Sequence, residues 1–357
     1  MQIDFHHAVT YVVARHAGFP DADARIIAYA AQYVDDATKE GILSFDNGGL
    51  YGRTATAHRM LDYRNLEQLA SARVWLPFHF LPGNAGRPEG AADSLPLIER
   101  LICRPDSPVA QEMVRACLDD HARPYRLHRL GITAHVLVDT WAHQGFAGVP
   151  HRINELRELR NADGDREPSM VDRVLDYFGG AIQSRIPPTG HGRALSYPDL
   201  PYLKWSYVDG LGREVIRDNP TDFTRAADAM CRMFQRALAS RPDAEVPGLA
   251  PQVRAHIAEQ LAGFTEPDPA IRHRLWLESI AAGTFGFSGV YLPYNATGPN
   301  SWRYRALGDH DEEEEMTRLR YHPSFLTSDW KRFHDAAKAH RREVIDDILP
   351  RFGIVAA

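Results

Sequence analysis

HRLGITAHVLVDTWAHQGFAGVPHRINE, residues 128–155, is the stretch on which the expected architecture depends. Its ionisable side chains recur at intervals of four residues: His135, Asp139 and His143, then His151 and Glu155. Because four residues make about one helical turn, side chains at this spacing share a face of a helix. Burying unpaired imidazole and carboxylate groups costs free energy, and a bound cation offsets that cost. The stretch therefore predicts a helix that forms one wall of a multi-metal site.

Two other interpretations of the same spacing stay open. His135, Asp139 and His143 could form a polar network in the core that holds no ion. His151 and Glu155 could be an exposed pair on a helix surface, where residues four apart are neighbours. The pattern alone does not choose between these arrangements and metal ligation.

Composition limits the class of protein. The chain has 357 residues, 44% of them hydrophobic and 25% charged, which is enough apolar material for a full core. A net charge of -6 gives no basic surface for nucleic acid. Three cysteines without a CxxC pair favour a reducing compartment. With no recognisable signal peptide and no apolar run of about 18 residues, we expect a cytoplasmic protein without a transmembrane segment; its oligomeric state is open.

Helical periodicity dominates the chain, and strand signals are few. We therefore expect an all-α fold with long loops: one multi-helix domain over residues 1–357, in which 1–160 carries the metal motifs and 161–357 forms a helical, loop-rich extension covering the cleft. Local expectations are a helix from Pro124 to about Trp141, another helix starting at 152–160, a short hairpin or loop at 41–53, and a loop-like stretch at 187–212. The expected helix caps are Ser107, Asn219 or Thr221, and Ser328.

Other segments supply further candidate ligands. They are His6 with Asp4 and His7 beside it, Asp35 and Asp36 near the end of the second helix, and His79 in a Pro/Gly-rich loop. His191, between two glycines of a long loop, is a weaker candidate, and Asp199 in the same loop is weaker still. Neutral imidazole and carboxylate suit zinc, iron or manganese, and the absence of thiolates favours a catalytic site with open coordination positions over a structural zinc site.

In this order the motifs resemble those of the zinc-dependent phospholipase C and P1-type nuclease superfamily, over about the first 160 residues. The residues that match the superfamily's metal ligands are, in chain order, His6 or His7, Asp36 or its neighbour Asp35, the pair His79-Phe80, His135 and Asp139, His143, and finally His151 and Glu155. It implies an all-helical fold and a three-zinc cluster in a cleft. Secreted members also bind one metal through a processed N-terminal tryptophan, whereas this chain starts MQIDFHH, where Asp4 is the candidate substitute.

The function expected on this basis is hydrolysis of a phosphodiester or phospholipid-like substrate by a metal-activated water. Two or three Zn²⁺ ions are expected, with iron or manganese as alternatives. Asp36 is the candidate bridging carboxylate and base, and His128, two turns before His135, is the candidate acid, base or phosphate contact. Two other functions stay open: a di-iron oxygenase or oxidase on the same His/Asp site, and a non-catalytic protein that the metal stabilises.

Overall fold

The computed structural model describes residues 1–58, 68–91, 94–161, 196–308 and 318–355. It corrects the expected fold class. Within the described residues, 55% of the chain is helical and 10% is strand, in two small antiparallel sheets, so the protein is mixed α/β and not all-α.

Helices make up most of the described chain. They are α1 (Thr10–Ala17), α2 (Asp21–Asp36), α3 (Gln68–Phe78), α4 (Leu97–Leu101), α5 (Pro108–Asp119), α6 (Arg126–Ala142), α7 (Asn219–Ala239), α8 (Pro251–Gly263), α9 (Pro269–Ala281), α10 (Trp302–Leu307), α11 (Asp329–Arg342) and α12 (Leu349–Arg351). A π-helical segment, Asp4–Val9, leads into α1, and a second one, Glu343–Ile348, joins α11 to α12. Single 3₁₀ turns lie at Asn84–Gly86, Arg152–Asn154, Tyr197–Asp199 and Pro323–Thr327.

Helix α6 confirms the helix expected from Pro124 to about Trp141, and it lies at the centre of the helical packing. Every residue from His128 to Ala142 is buried, and α6 packs against α2, α5, α7 and α11. Helix α2 approaches α6 closely at Gly131, where an added Cβ would lie 2.4 Å from the carbonyl oxygen of Ile27. The missing side chain lets the two backbones meet, and this brings the C-terminal half of α2 beside the face of α6 that carries His135 and Asp139.

Strands form where the sequence indicated a helix and a loop. β1 (Gly41–Ser44) and β2 (Leu50–Arg53) make the short hairpin allowed at 41–53. β3 (Leu156–Asn161), β4 (Lys204–Asp209) and β5 (Glu214–Asp218) form an antiparallel sheet in that order. The prediction of a helix at 152–160 is therefore wrong, because only a 3₁₀ turn at Arg152–Asn154 precedes β3. The stretch 187–212, expected to be loop-like, contains β4 among its described residues. β3 pairs with β4, Leu156 opposite Asp209, across a long sequence separation that no local periodicity reveals.

An aromatic cluster fastens the β3–β4–β5 sheet to the end of α6. It consists of Phe80, Phe146, Tyr197, Trp205 and Tyr207, all buried. Alternation along β4 turns Trp205 and Tyr207 inward, and Tyr207 stacks on Phe146 just after α6. The sheet thereby holds the His79 loop and the Tyr197–Asp199 turn close to the C-terminal end of α6.

The helix caps are mostly as expected. Ser107 caps α5 and Ser328 caps α11, but the cap of α7 is Asp218, one residue before the expected Asn219. Asn219 is instead the first residue of the helix, with its side chain buried in the interior. Within the described residues, we find no helix with both the length and the apolarity that crossing a membrane requires.

Candidate metal centre

A cluster of imidazoles and carboxylates from separate parts of the chain surrounds Asp139 on α6. Its members, all partly or fully buried, are the amino group of Met1, His6, Asp35, His79, His135, Asp139, His143 and Asp199. The two carboxylate oxygens of Asp139 face different sets of neighbours. The cluster therefore has two candidate cation positions that share this carboxylate.

The first position, P1, lies between His79, His135, Asp35 and the Oδ2 atom of Asp139. His135 Nε2 is 3.3 Å from His79 Nδ1 and 3.2 Å from Asp139 Oδ2, and His79 Nδ1 is 3.5 Å from that oxygen. Asp35 Oδ1 is 3.9 Å from His79 Nδ1 and 3.8 Å from His135 Nε2. Ligands at zinc bond lengths in a tetrahedron are separated by about 3.3 Å. Asp35, His79 and His135 are close enough together to hold one ion, and so are His6, His135 and Asp139.

Backbone hydrogen bonds fix which nitrogen of each imidazole can bind a cation. His135 Nδ1 donates to the carbonyl of Ala31 at 2.8 Å, and His79 Nε2 donates to the carbonyl of Thr56 at 2.9 Å. In neutral imidazole the other nitrogen then carries a lone pair. The two lone pairs face each other across 3.3 Å, where neither can donate to the other. A cation between them satisfies both, in the manner of metal-bound histidines that donate to backbone carbonyls.

Electrostatics in the cluster favour neutral imidazoles and a bound positive charge. Burial lowers the pKa of His135 to about 4, and burial and His135 lower that of His6 well below its usual value. Burial and the Asp139 carboxylate raise the pKa of Asp35 well above its usual value. Burial would raise the pKa of Asp139 too, but the Met1 ammonium and the neighbouring histidines hold it well below its usual value. Neutral histidine is the form that ligates metals.

The second position, P2, lies at the other oxygen of Asp139. The ammonium of Met1 is 2.7 Å from Asp139 Oδ1 and 3.0 Å from Asp199 Oδ1. Burial alone would lower its pKa, but the two carboxylates outweigh burial and raise the pKa to about 11. His6 Nε2 is 3.2 Å from Asp139 Oδ1, and its ring stacks on His135 with a centroid distance of 3.7 Å. A positive charge thus already lies where two carboxylates converge.

Buried polar atoms at both positions lack hydrogen bonds. Among the described residues, no hydrogen-bond partner is found for either ring nitrogen of His6 or for Asp139 Oδ2. Such atoms cost free energy unless a ligand or an ion satisfies them. Of these atoms, His6 Nε2 and Asp139 Oδ2 face the cluster and could bind a divalent cation.

His143 extends the cluster beyond the end of α6. Its Nδ1 donates to the carbonyl of His79 at 2.7 Å, and its ring stacks on Phe80 at 4.4 Å. Its Nε2 then faces Asp199 Oδ1 at 3.4 Å. Arg217 on β5 donates to the carbonyls of Trp141 and Ala142, a cation at the C-terminus of α6 that fixes the helix end from which His143 follows.

Asp36 and His128, the expected catalytic residues, have other partners. Asp36 is exposed and accepts hydrogen bonds from Tyr294 and Gln32, so Asp35 is the carboxylate of this pair that faces the histidines. The side chain of His128 is paired at 3.0 Å with Asp329 at the start of α11, and not with the histidines around Asp139.

Four other expected ligands also lie in separate contacts. Asp4 forms a buried ion pair with Arg272 at 2.6 Å, and His7 Nδ1 lies 2.9 Å from His273 Nε2. His151 caps a 3₁₀ turn by accepting from the backbone of Ile153 at 3.1 Å. The side chain of Glu155 is 34% exposed, 3.8 Å from Arg157. His191 lies outside the described residues.

The amino group of Met1 and the carboxylate of Asp199 are the cluster members that sequence reasoning missed or ranked low. Met1 is carried to the cluster by the N-terminal segment, which the Asp4–Arg272 pair anchors. Asp199 lies in a short turn, Ser196 to Leu200, whose only local signal is a Pro-Asp pair. Neither position repeats with the helical period, so no pattern within the chain connects them with α6.

Comparison with known proteins yields one family. A model described as "Family of unknown function (DUF6765)" matches residues 1–348, nearly the whole chain. No curated protein and no solved structure matches this chain.

Proposed function

We propose that this chain, which belongs to the family of unknown function DUF6765, is a metal-dependent hydrolase of a small-molecule or lipid phosphoester. The observation that carries the proposal is P1, where two histidines with fixed tautomers point lone pairs at each other between the carboxylates of Asp35 and Asp139. The donor set contains no thiolate, and it mixes imidazole with carboxylate, as catalytic zinc sites do.

The residues present fit a divalent cation. Asp35, His79 and His135 would hold it at P1, beside Asp139 Oδ2, and His6 with Asp139 Oδ1 would contribute at P2 together with the shared His135. When bound, such an ion supplies a Lewis acid for phosphate oxygens and activates the attacking water. Zn²⁺ is the expected ion, and iron or manganese would suit the same donors.

The chain itself supplies orientation and access. The backbone carbonyls of Ala31 and Thr56 hold the rings of His135 and His79 in place, which lowers the reorganisation needed on binding. The side chain of Asp35 is 32% exposed, whereas those of His79, His135 and Asp139 are at most 5% exposed. Water and substrate therefore reach P1 on the Asp35 side, where this carboxylate is placed to accept a hydrogen bond from the attacking water.

The test combines metal content with turnover. Protein purified without chelator is analysed by inductively coupled plasma mass spectrometry and assayed with a generic phosphodiester, bis(p-nitrophenyl) phosphate. We expect bound zinc and metal-dependent hydrolysis that His135→Ala abolishes, while His121→Ala, which alters an exposed histidine outside the cluster, retains it. Protein without bound metal, or full activity in His135→Ala, would refute the proposal.

The same measurements separate the rival functions. Iron content together with oxygen uptake would support an oxygenase. A melting temperature that falls on chelation, without turnover of any phosphoester, would support a metal-stabilised protein that is not an enzyme. The three cysteines are free and buried, which fits the reducing cytoplasm that we propose as its location.

A further inference from the structure

A cavity with a volume of about 460 Å³ lies between α3, α11 and the π-helical segment Glu343–Ile348. Among the described residues that line it, none belongs to the cluster around Asp139. Its charged side chains are the cations Arg73, Lys338, Arg341 and Arg342 and the carboxylates Glu40 and Asp346. Positive charge therefore gathers in one cavity of a chain whose net charge is -6.

The four cations of this cavity have no anionic partner in close contact within the described part of the chain. There, none of their side chains forms an ion pair or a hydrogen bond. Lys338 Nζ lies 4.1 Å from the centre of the Tyr51 ring, a contact that holds the ammonium in place without neutralising it. The cations are thus gathered in one place without being paired.

Two of these cations are also half-buried. Lys338 and Arg341 lie three residues apart on α11, so they share a face of the helix. Burial lowers the pKa of the Arg341 guanidinium, and Arg73 lowers it further against the opposing effect of Glu40. Burial also lowers the pKa of the Lys338 ammonium, and Arg341 adds to this shift. Gathering like charges at half-buried positions costs free energy, and a bound anion would offset that cost.

We propose that this cavity binds a phosphate dianion, either inorganic phosphate or the phosphate of a small phosphomonoester, at a site separate from the metal centre. Four cations against two carboxylates leave two positive charges in excess. A phosphomonoester carries about -1.5 to -2 charges at pH 7, which balances this excess. Guanidinium groups also present paired N–H donors that match the oxygens of phosphate.

The size of the cavity favours a small ligand. Sites for small molecules have volumes of roughly 300–1,000 Å³, so a cavity of about 460 Å³ has room for a phosphate with a short organic group. The inference does not depend on hydrolysis at the metal centre, because binding at this cavity uses none of the residues around Asp139.

Stabilising the end of a helix does not account for these cations. Cations in a last turn offset the partial negative charge of free carbonyl groups. At the end of α11, however, the backbone N–H of Glu343 donates to the carbonyls of Ala339 and His340, and the chain continues as a π-helix. Arg73 moreover comes from a different helix, α3. What the four side chains share is the cavity between the helices.

The experiment measures phosphate binding to protein without metal. The full chain is treated with chelator and desalted, so that phosphate cannot bind through an ion at the metal centre. Calorimetric titrations at constant ionic strength then use inorganic phosphate and glycerol 3-phosphate, and the tighter of the two identifies the source of the phosphate. We expect one site per chain in wild type.

Three variants locate the binding site. Arg341→Gln and Arg73→Gln, on different helices, should each weaken binding about tenfold or more, because each removes a charge-assisted hydrogen bond. The matched control is Arg274→Gln, which should bind phosphate like wild type. Arg274 is on α9, its side chain is 67% exposed, and it does not line the cavity.

Thermal unfolding distinguishes a ligand-binding arginine from a structural one. Phosphate should raise the melting temperature of wild type but not that of Arg341→Gln. Without phosphate, Arg341→Gln should melt at the same temperature as wild type or higher, because a crowded charge has been removed. Wild-type phosphate affinity in either folded variant, or no binding by wild type, would overturn the site and leave the proposed function intact. Phosphate binding without any metal content or turnover would overturn the proposed function alone.

Discussion

Replacing Gly131 by alanine tests whether the close approach of α2 to α6 assembles the candidate metal centre. An added Cβ would lie 2.4 Å from the carbonyl oxygen of Ile27 and 2.7 Å from the Cβ of Ala30. Both distances are roughly 1 Å below normal contact, so the helices must separate. Such overpacking costs about 1–3 kcal/mol, with backbone clashes at the upper end. Alanine gains about 1 kcal/mol of helix propensity, which leaves a net loss of about 2 kcal/mol.

The same separation should weaken metal binding. Helix α2 carries both the Ala31 carbonyl, which orients His135, and the carboxylate of Asp35. Disturbing such a supporting hydrogen bond lowers metal affinity by roughly 10–100-fold. Gly131→Ala should therefore lose stability in urea unfolding and lose Zn²⁺ affinity in calorimetric titration.

Gly263→Ala is the matched control, because Gly263 is the last residue of α8 and no atom lies within 4 Å of its added Cβ. Its stability should stay unchanged or rise by up to about 1 kcal/mol, with wild-type zinc affinity. If Gly131→Ala were as stable as Gly263→Ala and bound zinc as tightly as wild type, close helix packing would not be what assembles the site.

Three further outcomes follow from buried charges and from the ion. Burial and Arg129 lower the pKa of His340 to about 3 in the folded protein. As the pH falls below about 6.5, the imidazole of His340 is therefore protonated in the unfolded chain but not in the folded one. This difference should lower the free energy of unfolding by about 2 kcal/mol between pH 7 and pH 5. Urea titrations at the two pH values should show a smaller loss in His340→Met, and an equal loss would contradict the assignment. Arg272→Met leaves Asp4 buried without its partner and should lower the free energy of unfolding by about 3–5 kcal/mol. In the same urea assay, adding Asp4→Asn should restore part of this stability. An unchanged unfolding midpoint in Arg272→Met would argue against a stabilising Asp4–Arg272 ion pair. At a free Zn²⁺ concentration of about 100 times its dissociation constant, binding should add about 2.7 kcal/mol to the free energy of unfolding. Removing the zinc should therefore lower the melting temperature in calorimetry, and identical melting curves would count against a resident ion.

Residue spacing sufficed to predict the central part of the site. The i, i+4 series of His135, Asp139 and His143 predicted a helix with one polar face, and α6 places Asp139 between the two histidines. This prediction was possible because helix geometry is local. Within a helix, the spacing of residues alone determines which side chains share a face. By the same logic the spacing of His151 and Glu155 predicted a helix turn, but the chain there forms a 3₁₀ turn and enters β3.

The sequence by itself determined the helix with its polar face of His135 and Asp139, and it singled out His6 and His79, which join that face in the structure. Only the tertiary structure decided that Asp35 faces the cluster in place of Asp36, and that Asp199 and the Met1 amino group join it. Adjacent residues on a helix differ by about 100° in direction, so the packing of α2 on α6 selects one of them. Asp199 arrives through strand pairing and aromatic packing between segments distant in the chain, and such contacts leave no periodic trace in the sequence.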